Sequence, residues 1–235
     1  MNRLFKFQLL TAALILALVL SGCSLTGTAK TTGPTTGSGA LPTSSQTGGI
    51  SPTEGGSSLA SAVNLMADYQ GKGWETAAAE NPDAKTLNGL RHFSADLFAE
   101  AAKNKGNIMV SPVSVFLALS MTLNGSDNET RDVMLATLAG QGITSEMINQ
   151  VSQTIIANLT KTGGRTTVET ANSIWLRAGF QANPDFLQTN ADYYRDGATS
   201  LDFADPAAAD VINGWVDTNT HGLIKKIVGK INPTT

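Results

Sequence analysis

Ile212-Asn213-Gly214-Trp215-Val216-Asp217-Thr218-Asn219-Thr220-His221-Gly222-Leu223-Ile224 is the stretch on which the fold turns. Val211, Ile212, Trp215 and Val216 fall on one side of a helix. Asp205-Pro206 offers a cap and a first-turn proline, and Gly222 a stop. Just upstream, Ala198 to Phe203 reads as a short strand. Before it, Pro184 opens a helix carrying Phe186, Leu187, Tyr193 and Tyr194, and Gly197 ends it. From Thr166 to Arg177 the period changes to two. Val168, Asn172, Ile174 and Leu176 share one side, with Ala171, Ser173 and Trp175 on the other. Apolar residues on both faces predict a strand covered on both sides.

Further out the pattern is helical. Leu87, Leu90, Phe93 and Leu97 predict an amphipathic helix over Thr86 to Lys103. Gly106-Asn107 ends the turn after it, and Ile108 to Val110 reads as a short apolar strand. Ser111-Pro112 is an N-cap serine followed by a first-turn proline. The helix it opens, Val113 to Leu123, is apolar nearly all round, which requires burial in a large core. Gly125 closes that helix, and Ser126 with Glu129 reads as a capping box for a helix from Asp127 to Leu138. Met147, Val151, Ile155 and Leu159 step by four along Ser145 to Leu159.

Several of these pieces coincide with one family. Asn107-Ile108 with Ser111-Pro112-Val113-Ser114 and Leu117-Ala118-Leu119 resembles the start of helix B of the serpins. Asn124-Gly125 and Thr130 resemble the turn into the next helix, and Ala171-Asn172-Ser173-Ile174-Trp175 the second strand of the large sheet. Phe186 and Tyr193-Tyr194 suit the helix that follows. The opening stretch resembles the serpin pattern I-N-x-W-V-x-x-x-T-x-G-x-I of helix F and its trailing loop. The resemblance runs over residues 86 to 232. It implies an α+β fold: the N-terminal part of the serpin domain, with several helices packed on strands of a large, mainly antiparallel sheet. It also implies an inhibitor of secreted serine or cysteine proteases. Such an inhibitor acts when a protease cleaves an exposed loop and the loop inserts as a new strand.

The resemblance implies roles for particular residues. Ser111, Ser114 and Asn172 match positions beneath the sheet, where short polar side chains let strands part. Each also has a plain structural reading: Ser111 as a cap, Ser114 as a small packing residue, Asn172 as a locally satisfied amide. Asn213, Trp215, Thr220 and Gly222 would hold helix F and its loop over the sheet, chiefly as fold maintenance. The remaining strands and the reactive-centre loop would lie beyond Thr235, so a truncated chain or partial gene product is expected. The alternative to an inhibitor is a non-inhibitory surface-binding or structural lipoprotein on the same fold.

Composition narrows the chemistry. Sixteen Lys and Arg against 19 Asp and Glu give a net charge of -3, without the clustered positive charge of a nucleic-acid binder. One cysteine, Cys23, and two histidines, His92 and His221, exclude an intrachain disulfide, a thiolate zinc site and a multi-histidine metal centre. No G-x-S-x-G elbow occurs, neither histidine stands in a hydrolase context, and Thr162-Gly163-Gly164-Arg165 lacks the P-loop pattern. No enzyme activity, cofactor or metal is expected. Ser145 to Leu159 contains no Lys or Arg, so no glycosaminoglycan partner is expected either.

The N-terminus reads as an address. Arg3 and Lys6 precede the apolar run Leu9 to Leu20, too short to span a bilayer as a helix but apt for a secretory signal. Leu20-Ser21-Gly22-Cys23 resembles the bacterial lipobox, whose cysteine becomes the lipidated first residue. From Ser24 to Ser58, 27 of 35 residues are Gly, Ser, Thr or Pro, which predicts a flexible tether. Its reach is roughly 30 Å, taking about 5.5 Å × √n. The expected organisation is a lipoprotein signal peptide over 1–22, a lipidated tether over 23–58 and a partial serpin domain over 59–235. Export through a Sec-type pathway would leave the protein lipid-anchored on the outer face of a bacterial cell membrane.

Overall fold

The computed structural model describes residues 61–77, 81–103, 106–160, 168–195 and 197–232. The signal peptide, Cys23 and the tether lie outside the described residues, as do Thr162 to Arg165. Among the described residues, seven helices and three strands follow in the order β1 (Ala62–Asn64), α1 (Trp74–Ala77), α2 (Ala84–Ala101), α3 (Pro112–Leu123), α4 (Asn128–Leu138), α5 (Ser145–Leu159), β2 (Ser173–Arg177), α6 (Pro184–Tyr194), β3 (Gly197–Leu201) and α7 (Ala208–Asn219).

The all-round apolar α3 is where such a helix has to be. Val115, Phe116, Leu117, Ala118, Met121 and Leu123 are all buried. Phe116 meets Phe93 of α2 edge-on, ring centroids 6.1 Å apart. Ile148 and Ile156 of α5, Leu187 and Tyr194 of α6, Ile174 of β2 and Ala198 of β3 complete the same core. Three polar side chains inside it are paired with one another. The Tyr194 hydroxyl donates to Asn149 Oδ1 at 2.6 Å, and Asn149 and Asn124 exchange amide hydrogen bonds at 3.0 and 3.1 Å. Satisfying each other is what makes burying them tolerable.

The described strands form one mixed sheet in the order β1-β3-β2. β1 runs antiparallel to β3 with Ala62 opposite Leu201, whereas β2 and β3 are parallel with Arg177 opposite Leu201. A parallel pair needs a crossover, and α6 supplies it. A second apolar cluster of Leu201, Ala208 and Ile212, flanked by Trp175, Phe203, Val228 and Ile231, joins α7 and its trailing chain to the sheet.

The chain between β1 and α1 is fastened to the body at many points. Leu65 N–H donates to Ala198 O at 2.9 Å, and Lys72 N–H to Asp192 Oδ1 at 3.1 Å. Gln188 Nε2 reaches Gln70 O at 2.9 Å, and Gln153 Nε2 reaches Lys72 O at 3.0 Å. The Arg195 guanidinium lies 4.0 Å from the Trp74 ring centre. Nothing in the sequence pattern announced this strap.

Local expectations fail where a neighbour offers a better bond. The capping box does not form: Asp127 takes the N-cap of α4, and Ser126 Oγ donates instead to Leu123 O at 2.7 Å. Asp205 does not cap α7. It closes a turn by accepting from Ala207 N–H at 2.8 Å, and the helix starts at Ala208 with no side-chain cap. Ile108 to Val110 is extended without a ladder partner among the described residues, so it is no strand. The regular strand before α6 is Ser173–Arg177 alone. α6 ends not at Gly197 but at Arg195, which adopts a left-handed conformation with φ 56°.

Candidate functional site

Ser111, Val113, Ser114 and Leu117 at the start of α3, Leu159 at the end of α5, and Val168, Thr170 and Asn172 leading into β2 line a cleft of about 200 Å³. The three residues that the sequence singles out beneath the sheet therefore meet in one place. The Ser111 and Ser114 hydroxyls are 2.8 Å apart, and Ser114 N–H donates to Ser111 Oγ at 3.4 Å. Ser111 is thus a helix cap and a cleft hydroxyl at once. Asn172 is 7% exposed and lines the same wall. None of these eight lining residues is ionisable, so the cleft offers hydrogen bonds to a backbone rather than proton transfer.

The helix F candidates form a clamp. Asn213, 6% exposed, donates through Nδ2 to Val228 O at 2.8 Å. Its Oδ1 accepts from Ile227 N–H at 2.9 Å and Val228 N–H at 3.0 Å. Trp215 packs edge-on against Trp175 of β2, centroids 6.4 Å apart and planes at 85°. The Thr220 hydroxyl donates to Val216 O at 2.8 Å and accepts from Ile224 N–H at 3.0 Å. Gly222 has φ 79°, and its N–H donates to Asp217 O at 2.8 Å. It is glycine because of that backbone angle: a Cβ there would meet nothing within 4 Å. Two pieces of this clamp escaped the sequence reading. Trp175 was legible only as a strand residue, and Val228 sits in a stretch with no helical or strand period.

The histidines stand apart from the cleft. His92 is exposed on α2. His221, at φ 51°, places Nε2 2.6 Å from Glu169 Oε2 in an exposed pair. Among the described residues, no group of three or more His, Cys, Asp or Glu could hold a metal ion. Also among these, no helix is long and apolar enough to cross a membrane.

A chain with this helix-rich core, a cleft between the start of α3 and the segment entering β2, and a helix packed on the sheet has the architecture of the serpin class. The family model described as "Serpin (serine protease inhibitor)" matches residues 88–235. The chain belongs to the serpin family. It is 26% identical over 164 residues to an uncharacterized serpin-like protein of Methanosarcina acetivorans, covering 68% of this chain and 38% of the relative. It is 32% identical over 160 residues to Serpin-Z7 of Hordeum vulgare, covering 64% of this chain and 40% of the relative. Among solved structures it is similar to tengpin, a thermophilic serpin in the native state, with 36% identity and a TM-score of 0.66 over 74% of this chain and 43% of tengpin. The chain spans about two fifths of these relatives' length.

Proposed function

We infer that this chain is part of a surface-anchored serpin-type inhibitor of secreted serine or cysteine proteases. The inhibitor works by cleavage of an exposed loop and its insertion as a strand. The observation that carries the reading is the meeting of Ser111, Ser114 and Asn172 in one cleft against the chain that enters β2. Short side chains at Ser111 and Ser114 leave room for a strand to shift. β2 is the end strand of the described sheet, and α7 is pinned across it by Trp175 and Trp215. A strand added beside β2 has to pass that helix, so the clamp sets how easily the sheet opens.

The test is to incubate the protein, expressed from its complete reading frame, with trypsin-like, subtilisin-like and papain-like proteases. An SDS-resistant complex at near-stoichiometric ratio is expected with at least one. Cleavage as an ordinary substrate, with no complex in any case, would favour the non-inhibitory lipoprotein.

Anchoring belongs to the same reading. Cys23 carries lipid and begins the mature chain, which stands on the outer face of a bacterial cell membrane. Mass spectrometry of the membrane fraction should find an acylated N-terminal cysteine. Undiminished membrane recovery of Cys23→Ser would argue against it.

A further inference from the structure

A row of cations lies outside both the cleft and the clamp. Lys225, Lys226 and Lys230 are exposed, and none of the three ion pairs among the described residues includes them. No Asp or Glu lies between Asp217 and Thr235. The neighbouring helix α7 contributes Asp210, which is exposed, and Asp217, which is half-buried, and Glu169 is held by His221. The backbone under the row is fixed by the three Asn213 hydrogen bonds to Ile227 and Val228. Val228 and Ile231 pack inward on Leu201, Ala208 and Ile212. At the head of the row Leu223 stands 79% exposed. Apolar residues anchored inward, lysines outward and a free leucine form a surface suited to a membrane interface.

We propose that this row rests on the anionic lipid headgroups of the membrane that holds the protein. The proposal depends on the anchoring through Cys23 inferred above. Near an anionic surface each lysine favours contact about fivefold, roughly a hundredfold for three. That is too little to hold a free protein, but it suffices once a tether keeps the row at an effective concentration on the order of millimolar. The topology suits this. The tether joins the body at β1, where Ala62 is opposite Leu201, and Leu201 packs with Val228 and Ile231 at the end of the row. The body therefore lies down on the membrane, with Leu223 and the three lysines toward the lipid.

The experiment uses the lipidated protein carrying Leu223→Cys with an environment-sensitive thiol probe. It is reconstituted in phosphatidylcholine vesicles with or without about a third phosphatidylglycerol, with nitroxide-labelled lipid as quencher. Quenching several-fold stronger in the anionic vesicles is expected, falling to the zwitterionic level in 0.5 M salt or in Lys225→Glu/Lys226→Glu/Lys230→Glu. A probe equally exposed to water in both vesicles, or quenching indifferent to charge reversal, would overturn the proposal while leaving the anchor intact. Failure of the anchor looks different. The protein then does not sediment with zwitterionic vesicles and takes two labels per chain, because the Cys23 thiol is free. In that event a hexahistidine tag replacing residues 1–23, held on nickel-chelating lipid, restores the tether, and the same quenching ratio decides.

Discussion

Trp215 of α7 meets Trp175 of β2 edge to face, centroids 6.4 Å apart and planes at 85°. The Trp175 indole N–H is meanwhile held by Ser173 Oγ at 2.8 Å, which fixes the ring that Trp215 packs on. An edge-on aromatic pair is worth about 0.5–1.5 kcal/mol beyond its buried area. Trp215→Leu keeps most of the apolar contact but loses that geometry. It should destabilise by about 1 kcal/mol in urea unfolding, and in an inhibitory protein it should speed the transition to the loop-inserted form. A variant as stable as the parent, with unchanged insertion kinetics, would remove the pair from the clamp.

Asn213 is one side chain that satisfies three backbone groups of Ile227 and Val228. Asn213→Ala leaves them without partners in a half-buried position, at a cost of roughly 2–3 kcal/mol. Hydrogen exchange at amides 227 and 228 should accelerate strongly while the helical amides of α7 change little. Uniform acceleration through α7 would show that Asn213 holds the helix, not the loop.

Two glycines should respond to alanine for different reasons. Gly222→Ala meets open space but keeps φ 79°, so its cost is conformational, about 1–2 kcal/mol. At Gly71 an added Cβ would sit 2.3 Å from Ala191 O, against backbone that cannot step aside. Gly71→Ala should lift the strap off α6, at a cost of about 1–3 kcal/mol. Limited proteolysis should then cut within residues 62–77 in Gly71→Ala and not in Gly222→Ala. Equal resistance in both would mean that the strap adjusts without release.

Asp83 caps α2, accepting from both the hydroxyl and the backbone N–H of Thr86 at 2.7 Å. The Thr86 hydroxyl, then its amide, holds the carboxyl below its usual range. A carboxyl depressed on folding stabilises fully above its unfolded value, about 3.9. That contribution is lost as pH falls through the lower folded value. Asp83→Ala should therefore be less stable than the parent at pH 7 and converge with it in strong acid. A stability gap that does not narrow below pH 4 would show that charge on Asp83 plays no part.

Helices were legible because their apolar period is local. Leu90 and Phe93 of α2 declare the buried face within a few turns, and the structure buries them; along α5 only Val151 of the stepped residues Met147, Val151, Ile155 and Leu159 is buried, and Ile148 and Ile156, one position on, carry the core contact. Asn213, Trp215, Thr220 and Gly222 were singled out by the resemblance of their stretch to the serpin helix F pattern, not by any local period. The cleft was half legible. Its serines could be read as a cap and a small packing residue, but that Asn172 lines the same cleft depends on packing α3 against chain some sixty residues later. β1 was invisible. Ala62, Val63 and Asn64 are all exposed and have no alternation to read, and their partners Leu201, Ser200 and Thr199 lie far along the chain. Caps failed where two candidates stood side by side, as Ser126 and Asp127 did, because the choice rests on backbone angles that composition does not fix.

β1 also determines how the molecule takes tension. Whatever residue 61 is tied to pulls first on the three pairings of β1 with β3, starting at Ala62 and Leu201. Behind them the force meets Leu65 on Ala198, Gln70 on Gln188, Lys72 on Asp192 and Trp74 under Arg195, one after another. A tug can thus be dissipated by undoing small fasteners in series before β2 or the Ser111–Ser114 cleft is strained. Mechanically the strap is a fuse that separates the sheet from its mooring.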